Sequence, residues 1–394
     1  MTAPEPAAPA ASAPRTASAS ASSAVSAAPA GGRIPGADDA PLVPLPAQPA
    51  GVPWPGADWP RGELPAGVDR AALAALLAEA FDDPAQPIGE TQALVVVHRG
   101  RLVLERYAGQ LLFFDREPEP ITAGTPLLSW SMAKSVLHAV VGMLVAEGRL
   151  DLDAPPGLPW WGAAPEDPRG AITLQQMLEM RDGLAFVEEY TEDNGRSDVI
   201  DMLFGAGAAD TARYAADRPL AAEPGSRFAY SSGTTNLVSA AVAAVVGRGE
   251  DYRAFLADRL FGPLGMASAA PGLDAAGLWV ASSFLHATAR DFARFGYLYL
   301  RDGVWDGERL LPLGWVDHAR RARSVNEEGR RYGAHWWAMD DAWGTFWCSG
   351  YEGQSITVTP GLDVVAVRLG KTQGDEKAER LNSWRSALIS AFAS

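Results

Sequence analysis

Trp130-Ser131-Met132-Ala133-Lys134-Ser135 is the stretch on which the reading of this chain turns. Only three of its 394 residues are lysines, Lys134, Lys371 and Lys377, against thirty arginines. A guanidinium stays protonated at any working pH, whereas an ammonium can be driven neutral by burial and neighbouring charge and then accept a proton. A lysine kept where arginine holds nearly every other basic position therefore points to a catalytic base. From Leu127 to Val145 the sequence reads as an almost unbroken apolar helix ending near Gly148, so Lys134 is expected to be buried. Residues three apart share a helix face. The Ser131 hydroxyl can then meet the Lys134 amine, with Ser131 in the first turn, where free backbone N–H groups point outward. That arrangement suits an acylated nucleophile. The competing reading is a chance pattern with only two fixed positions, whose lysine snorkels to the surface.

Composition bounds the rest. At 47% hydrophobic residues the chain can bury a large core and is long enough for two lobes. A formal net charge of −15 argues against nucleic acid or an anionic membrane as partner, since both need clustered cations. Cys348 is the sole cysteine, which excludes an internal disulfide, and His98, His138, His286, His318 and His335 are scattered without ligand spacing. No metal and no cofactor are expected. Residues 1–50 are mostly Ala, Pro and Ser, lack the large apolar side chains that offset chain ordering, and are expected to be disordered. Neither a signal peptide nor a membrane span is read, which points to the cytoplasm unless translation starts elsewhere. The oligomeric state stays open, a homodimer being compatible with the sequence.

Residues 52–60, with Trp54 and Trp59 among prolines, read as an extended strap on the globular body. A helix is predicted over about 69–81, then a hairpin of residues 93–98 and 102–107 around Arg99-Gly100. From about 127 to 325 the patterning is mostly helical, with candidates at 174–180, 199–204, 235–246, 252–260 and 289–301. Strand signals return at 355–359 and 363–369, before a closing helix over about 375–392. The implied architecture is α+β, with one antiparallel sheet built from both ends of residues 51–394. Its sheet lobe would comprise about 61–126 and 326–394, and its inserted helical lobe about 127–325.

Two further stretches carry chemistry. Tyr230-Ser231-Ser232-Gly233-Thr234 is a small-residue turn before an apolar helix. It could present the Tyr230 phenol to a cleft as proton relay for Ser131, its pKa lowered by the Lys134 cation; the alternative is a tyrosine buried for packing alone. Phe346-Trp347-Cys348-Ser349-Gly350-Tyr351-Glu352-Gly353-Gln354 has closely spaced glycines that leave backbone accessible beside a strand edge, where an N–H could serve an oxyanion, although such glycines also mark plain turns.

The order Ser-x-x-Lys, Tyr-Ser-x turn and glycine-bearing strand before a terminal hairpin and helix resembles the penicillin-recognising serine hydrolases, in particular the class C β-lactamase-like branch. The phrases Trp130 to Ser135, Met180 to Leu184, Tyr230 to Thr234, Ala289 to Gly296 and Gly350 to Gln354 look most like those of 6-aminohexanoate-dimer hydrolases and family VIII esterases, over roughly residues 60–394. The resemblance implies a β-lactamase/penicillin-binding-protein-like fold. It also implies that Ser131 is the nucleophile, Lys134 the activating amine and Tyr230 the phenol that passes the proton to the leaving group. The oxyanion hole would be the backbone N–H groups of Ser131 and Tyr351, and Tyr190 would help hold an amide. Ser232, Ser349, Gly350 and Trp347 would line the substrate. Whether Lys134 or Tyr230 is the acylation base stays open, because the two titrate as a coupled pair.

The chain departs from the β-lactamase pattern twice. Ser232 stands in place of the asparagine of Tyr-x-Asn, and Cys348 in place of the lysine of Lys-Thr-Gly; Gly370-Lys371-Thr372 follows the last strand and does not restore it. A β-lactam carboxylate would lack its usual cation. Trp336, Trp337, Trp343, Phe346 and Trp347 are expected to crowd the approach or to be ordinary core. The expected activity is hydrolysis of a small ester or linear amide through an acyl-enzyme on Ser131. The alternatives are a β-lactamase or D,D-peptidase, and a catalytically silent binding protein of the same fold.

Overall fold

The computed structural model describes residues 41–162, 166–189 and 197–393. Its centre is an eight-stranded antiparallel sheet that joins the two ends of the described chain. Strands β1 (Glu90–His98) and β2 (Arg101–Tyr107) form the predicted hairpin, and Arg99 and Gly100 both take positive φ, 47° and 76°, as a two-residue turn matching strand twist requires. The later strands are β3 (Ser324–Val325), β4 (Arg331–Tyr332), β5 (Trp337–Ala338), β6 (Phe346–Gly350), β7 (Gln354–Thr359) and β8 (Val364–Lys371). Their spatial order is β3-β4-β5-β6-β7-β8-β1-β2, so β1 pairs with β8 from the other end of the sequence.

Both faces of β1 are covered, which is why Ala93 to Val97 run apolar without alternation. Leu94 and Val96 pack with Leu73 of α1 (Arg70–Phe81) and with Leu381, Trp384 and Leu388 of the closing helix, Asp375–Ser390. Val95 and Val97 face the larger core that holds α2 (Met132–Ala146), α3 (Ser232–Val246) and α4 (Ala289–Leu300). The Asp69 carboxylate caps α1 by accepting from the Ala71 and Ala72 N–H groups. Close seating of α4 on the sheet depends on Gly296, where a Cβ would fall 2.6 Å from Ile356 Cγ2 and 2.7 Å from Val365 Cγ1.

Residues 52–60 form the expected strap. Trp54 and Trp59 set their rings edge-on against Tyr297, and Arg294 donates to the carbonyls of Pro55, Gly56 and Ala57. The expectation of disorder through residue 50 does not hold for 41–50. Buried Arg301 donates to the Pro46 carbonyl at 3.1 Å, and the Tyr297 hydroxyl donates to Gln48 Oε1 at 2.6 Å. A few well-placed carbonyls partner buried donors there, which low hydrophobicity conceals. The predicted helix over 127–145 also starts later than read. Leu127–Leu128 is a short strand paired with Ala287 and His286, and the helix begins only after a sharp turn at Trp130, whose φ is 46°. No helix among the described residues is long and apolar enough to cross a membrane.

Candidate functional site

The turn at Trp130 reverses the chain, so that Ser131 becomes the N-cap of α2 with φ −64°, and its side chain makes no capping bond. The hydroxyl is thereby left for other partners at a helix end whose free N–H groups favour negative charge. One turn on, Lys134 is 1% exposed and spends its three protons on three acceptors: Ser131 Oγ at 2.9 Å, Ser232 Oγ at 3.0 Å and the Ser282 carbonyl at 3.0 Å. Burial lowers the amine from its ordinary value to about 8, against the opposing pull of Glu188.

Glu188 is the site residue that sequence reasoning passed over. Its Oε1 accepts from the Ser232 hydroxyl at 2.5 Å and its Oε2 from the Ser232 N–H at 2.6 Å, so Ser232 relays between lysine and carboxylate. Burial pushes the Glu188 carboxyl up, and Lys134 opposes this. The segment carrying Glu188 is pinned by buried Asp198, which accepts from the Val187 N–H at 2.9 Å and from Tyr214 and Arg218. Its only signal in the sequence was its place in Glu188-Glu189-Tyr190. Tyr190 itself lies outside the described residues.

Tyr230 immediately precedes α3, whose first turn is capped by Ser231 accepting from the Thr234 N–H at 3.0 Å. The phenol lies near enough to Ser131 for that hydroxyl to favour its ionised form, the Lys134 amine lies 4.8 Å from the ring centroid, and the ring stacks on Trp337 at 5.6 Å. The expectation that Lys134 lowers the Tyr230 pKa is overturned. Burial, and then the Glu188 charge, push it upward, so the resting phenol is neutral.

Strand β6 ends against the nucleophile. A Cβ on Gly350 would stand 2.2 Å from the Ser129 carbonyl oxygen and 3.1 Å from Trp130 Cβ, which only glycine permits. Tyr351 follows directly, its ring 5.4 Å from that of Trp130. The turn carrying it is held by Arg368, which donates to the Glu352 and Gly353 carbonyls at 3.0 and 3.2 Å, and by Gln354, which donates to the Tyr351 carbonyl at 3.2 Å. Along β6, Cys348 is buried and its thiol is pushed up to about 12, whereas Trp347 and Ser349 alternate with it and are half-buried. Lys371 is exposed at the end of β8 and adds no cation to the site.

The structure thus brings together Ser131, Lys134 and Tyr230, with Gly350 and Tyr351 alongside. Ser232 is fully buried behind the lysine and exposes no surface to a substrate. Of the five aromatics expected at the approach, Trp336 and Phe346 are core, and Trp343 packs with the cluster under the closing helix. Trp337 does stand beside Tyr230, and Trp347 stacks on the Trp337 ring at 6.2 Å. Among the described residues no group of three or more His, Cys, Asp or Glu side chains is placed to hold a metal ion.

A hydroxyl held between a depressed amine and a neutral phenol at a helix N-terminus is equipped for acyl transfer: one group takes its proton and the other donates. Comparison with known proteins agrees. The 6-aminohexanoate-dimer hydrolase of Paenarthrobacter ureafaciens is 27% identical over 317 residues, 74% of this chain and 76% of that protein. A Bacillus anthracis protein proposed to be a 6-aminohexanoate-dimer hydrolase superposes with a TM-score of 0.68 at 22% identity, covering 89% of this chain and 90% of the other. A family VIII carboxylesterase superposes with a TM-score of 0.62 at 16% identity, covering 84% and 99%. The sequence profile of the beta-lactamase family matches residues 88–391, and with this fold and this constellation the chain belongs to the beta-lactamase family and is a serine hydrolase.

Proposed function

We propose that the enzyme hydrolyses small neutral esters and linear amides through an acyl-enzyme on Ser131. The observation that carries this reading is Lys134, wholly enclosed, bonded to Ser131 Oγ and lowered to about 8. In the first step the neutral fraction of Lys134 takes the Ser131 proton as Oγ attacks the carbonyl carbon. The oxyanion meets the N–H groups of Ser131 and Tyr351. On collapse the leaving nitrogen or oxygen takes the proton of the Tyr230 phenol, and the Lys134 ammonium restores it. Water then repeats the cycle against the acyl-enzyme, and carboxylate and free enzyme result. Glu188, through Ser232, orients the amine that begins each half.

The preference for neutral substrates rests on two features. Cys348 is a protonated thiol where relatives place a cation, and Ser232 is turned inward to Lys134 and Glu188. A lost charged hydrogen bond is worth about 1.5–3 kcal/mol, so kcat/KM for p-nitrophenyl butyrate is expected to exceed that for nitrocefin by roughly ten- to a hundredfold or more. Steady-state rates on the two substrates decide it, and faster turnover of nitrocefin would reverse the reading.

Replacing Tyr230 by phenylalanine removes the proton donor and leaves Lys134 in place. The expected loss in kcat is roughly two to four orders of magnitude on an amide, with KM nearly unchanged. On a p-nitrophenyl ester the loss should be smaller, because that leaving group departs as an anion without help. Equal rates in wild type and Tyr230→Phe on the amide would make the tyrosine a packing residue only.

A further inference from the structure

A second aromatic group adjoins Ser131 and takes no part in the proton transfers. Trp130 sets its ring 5.4 Å from Tyr351 and 6.4 Å from Phe204, and Phe204 lies 6.0 Å from Phe284. The positive φ of Trp130 that heads α2 with Ser131 also sets this ring beside the nucleophile. Phe204 is 51% exposed and Tyr351 39% exposed, while Trp130 and Phe284 are half-buried. Phe204 closes the short helix Asp198–Phe204, in which Val199, Met202 and Leu203 already supply the buried face. Its ring is surplus to that helix's packing and stands as part of a continuous apolar surface beside the reacting atom, unlike the single exposed apolar side chains common on any protein.

From this juxtaposition we infer that Trp130, Phe204, Phe284 and Tyr351 form the subsite for the substrate's acyl chain, and that Phe204 is a specificity-determining residue favouring unbranched aliphatic or aryl acyl groups. The inference rests on the acyl-enzyme reading above and deepens it. The side of the substrate follows from the proton path. Tyr230 hands its proton to the leaving atom and stacks on Trp337, which in turn stacks on Trp347, so the leaving group belongs to that wall. The wall reached from Trp130 and Tyr351, next to the oxyanion donors, receives the acyl side.

The test is kcat/KM for p-nitrophenyl acetate, butyrate, hexanoate and octanoate in wild type, Phe204→Ala and Phe204→Leu, with thermal melts to confirm folding. Full burial of a methylene is worth at most roughly fourfold in kcat/KM, so the wild-type profile should climb with chain length towards that slope. In Phe204→Ala the climb should flatten, with a loss that is smallest on acetate and reaches roughly tenfold or more on octanoate. Phe204→Leu should recover part of the slope. A parallel series of acetate esters of lengthening alcohols should show no such steepening. Identical slopes in wild type and Phe204→Ala would overturn the subsite, and a loss that tracks alcohol length would overturn its assignment to the acyl side. Absence of turnover on every p-nitrophenyl ester by the wild type would instead overturn the acyl-enzyme reading on which the inference stands.

Discussion

Ser131→Ala is expected to lose turnover by roughly five to six orders of magnitude, the scale seen when a nucleophile is removed from a set that acts as a unit. Labelling by a fluorophosphonate probe should vanish with it. The fold should survive, because the Ser131 side chain does not cap α2, and Lys134 keeps Ser232 and the Ser282 carbonyl as partners. Loss of activity with an unchanged melting temperature therefore isolates chemistry from stability. A Ser131→Ala protein that still takes up the probe would place the nucleophile elsewhere.

The second large effect concerns Lys134, in which arginine and methionine substitutions separate charge from basicity. Arginine keeps a positive charge but cannot supply a neutral base, and methionine keeps the apolar volume but has no amine. Both are expected to lower kcat/KM by roughly two to four orders of magnitude, the usual scale for a positioned proton-transfer group. Both should melt lower than wild type: methionine leaves the Ser282 carbonyl without this donor and buried Glu188 without its counter-charge, and a larger, permanently charged guanidinium does not fit the enclosed space. The wild-type pH profile carries the sign. The base form is the deprotonated amine, and burial brings it down to about 8. The rate should therefore rise about tenfold per pH unit below about 8 and level off above it. Were Tyr230 the acylation base, its upward-shifted phenol would put that limb above about 10. A limb in that alkaline range, or a fully active Lys134→Arg enzyme, would move the role from the lysine.

Legibility of the site in the sequence varied with distance along the chain. Ser131 and Lys134 could be paired on paper because a helix brings residues three apart onto one face, and the structure sets them 2.9 Å apart. Glu188 could not. Its partner Ser232 is 44 residues away, and acidic residues are too common in a chain of this charge for one to stand out. The direction of the Tyr230 shift was misjudged for a related reason: a cation was visible in the sequence, but neither the depth of burial nor Glu188 was, and these two decide the sign. The aromatics of 336–347 could be read as approach or as core, and strand alternation and the sheet's two faces divide them among core, site and far side.

By itself the sequence determined what local periodicity and composition control. The apolar segments towards its two ends read as paired strands, the helical stretch between them as an inserted lobe, and the lysine in an apolar helix as a buried partner of the serine one turn before it. The tertiary structure alone decided what depends on packing between distant segments. It turned the chain at Trp130 so that Ser131 heads its helix, set Glu188 behind Ser232, and tied residues 41–50 to α4 and Arg301. It also gathered Phe204, Phe284 and Tyr351 around Trp130 from separate stretches of chain. The physical reason is that burial, and with it pKa and side-chain direction, is a property of the closed core and not of any one segment of the chain.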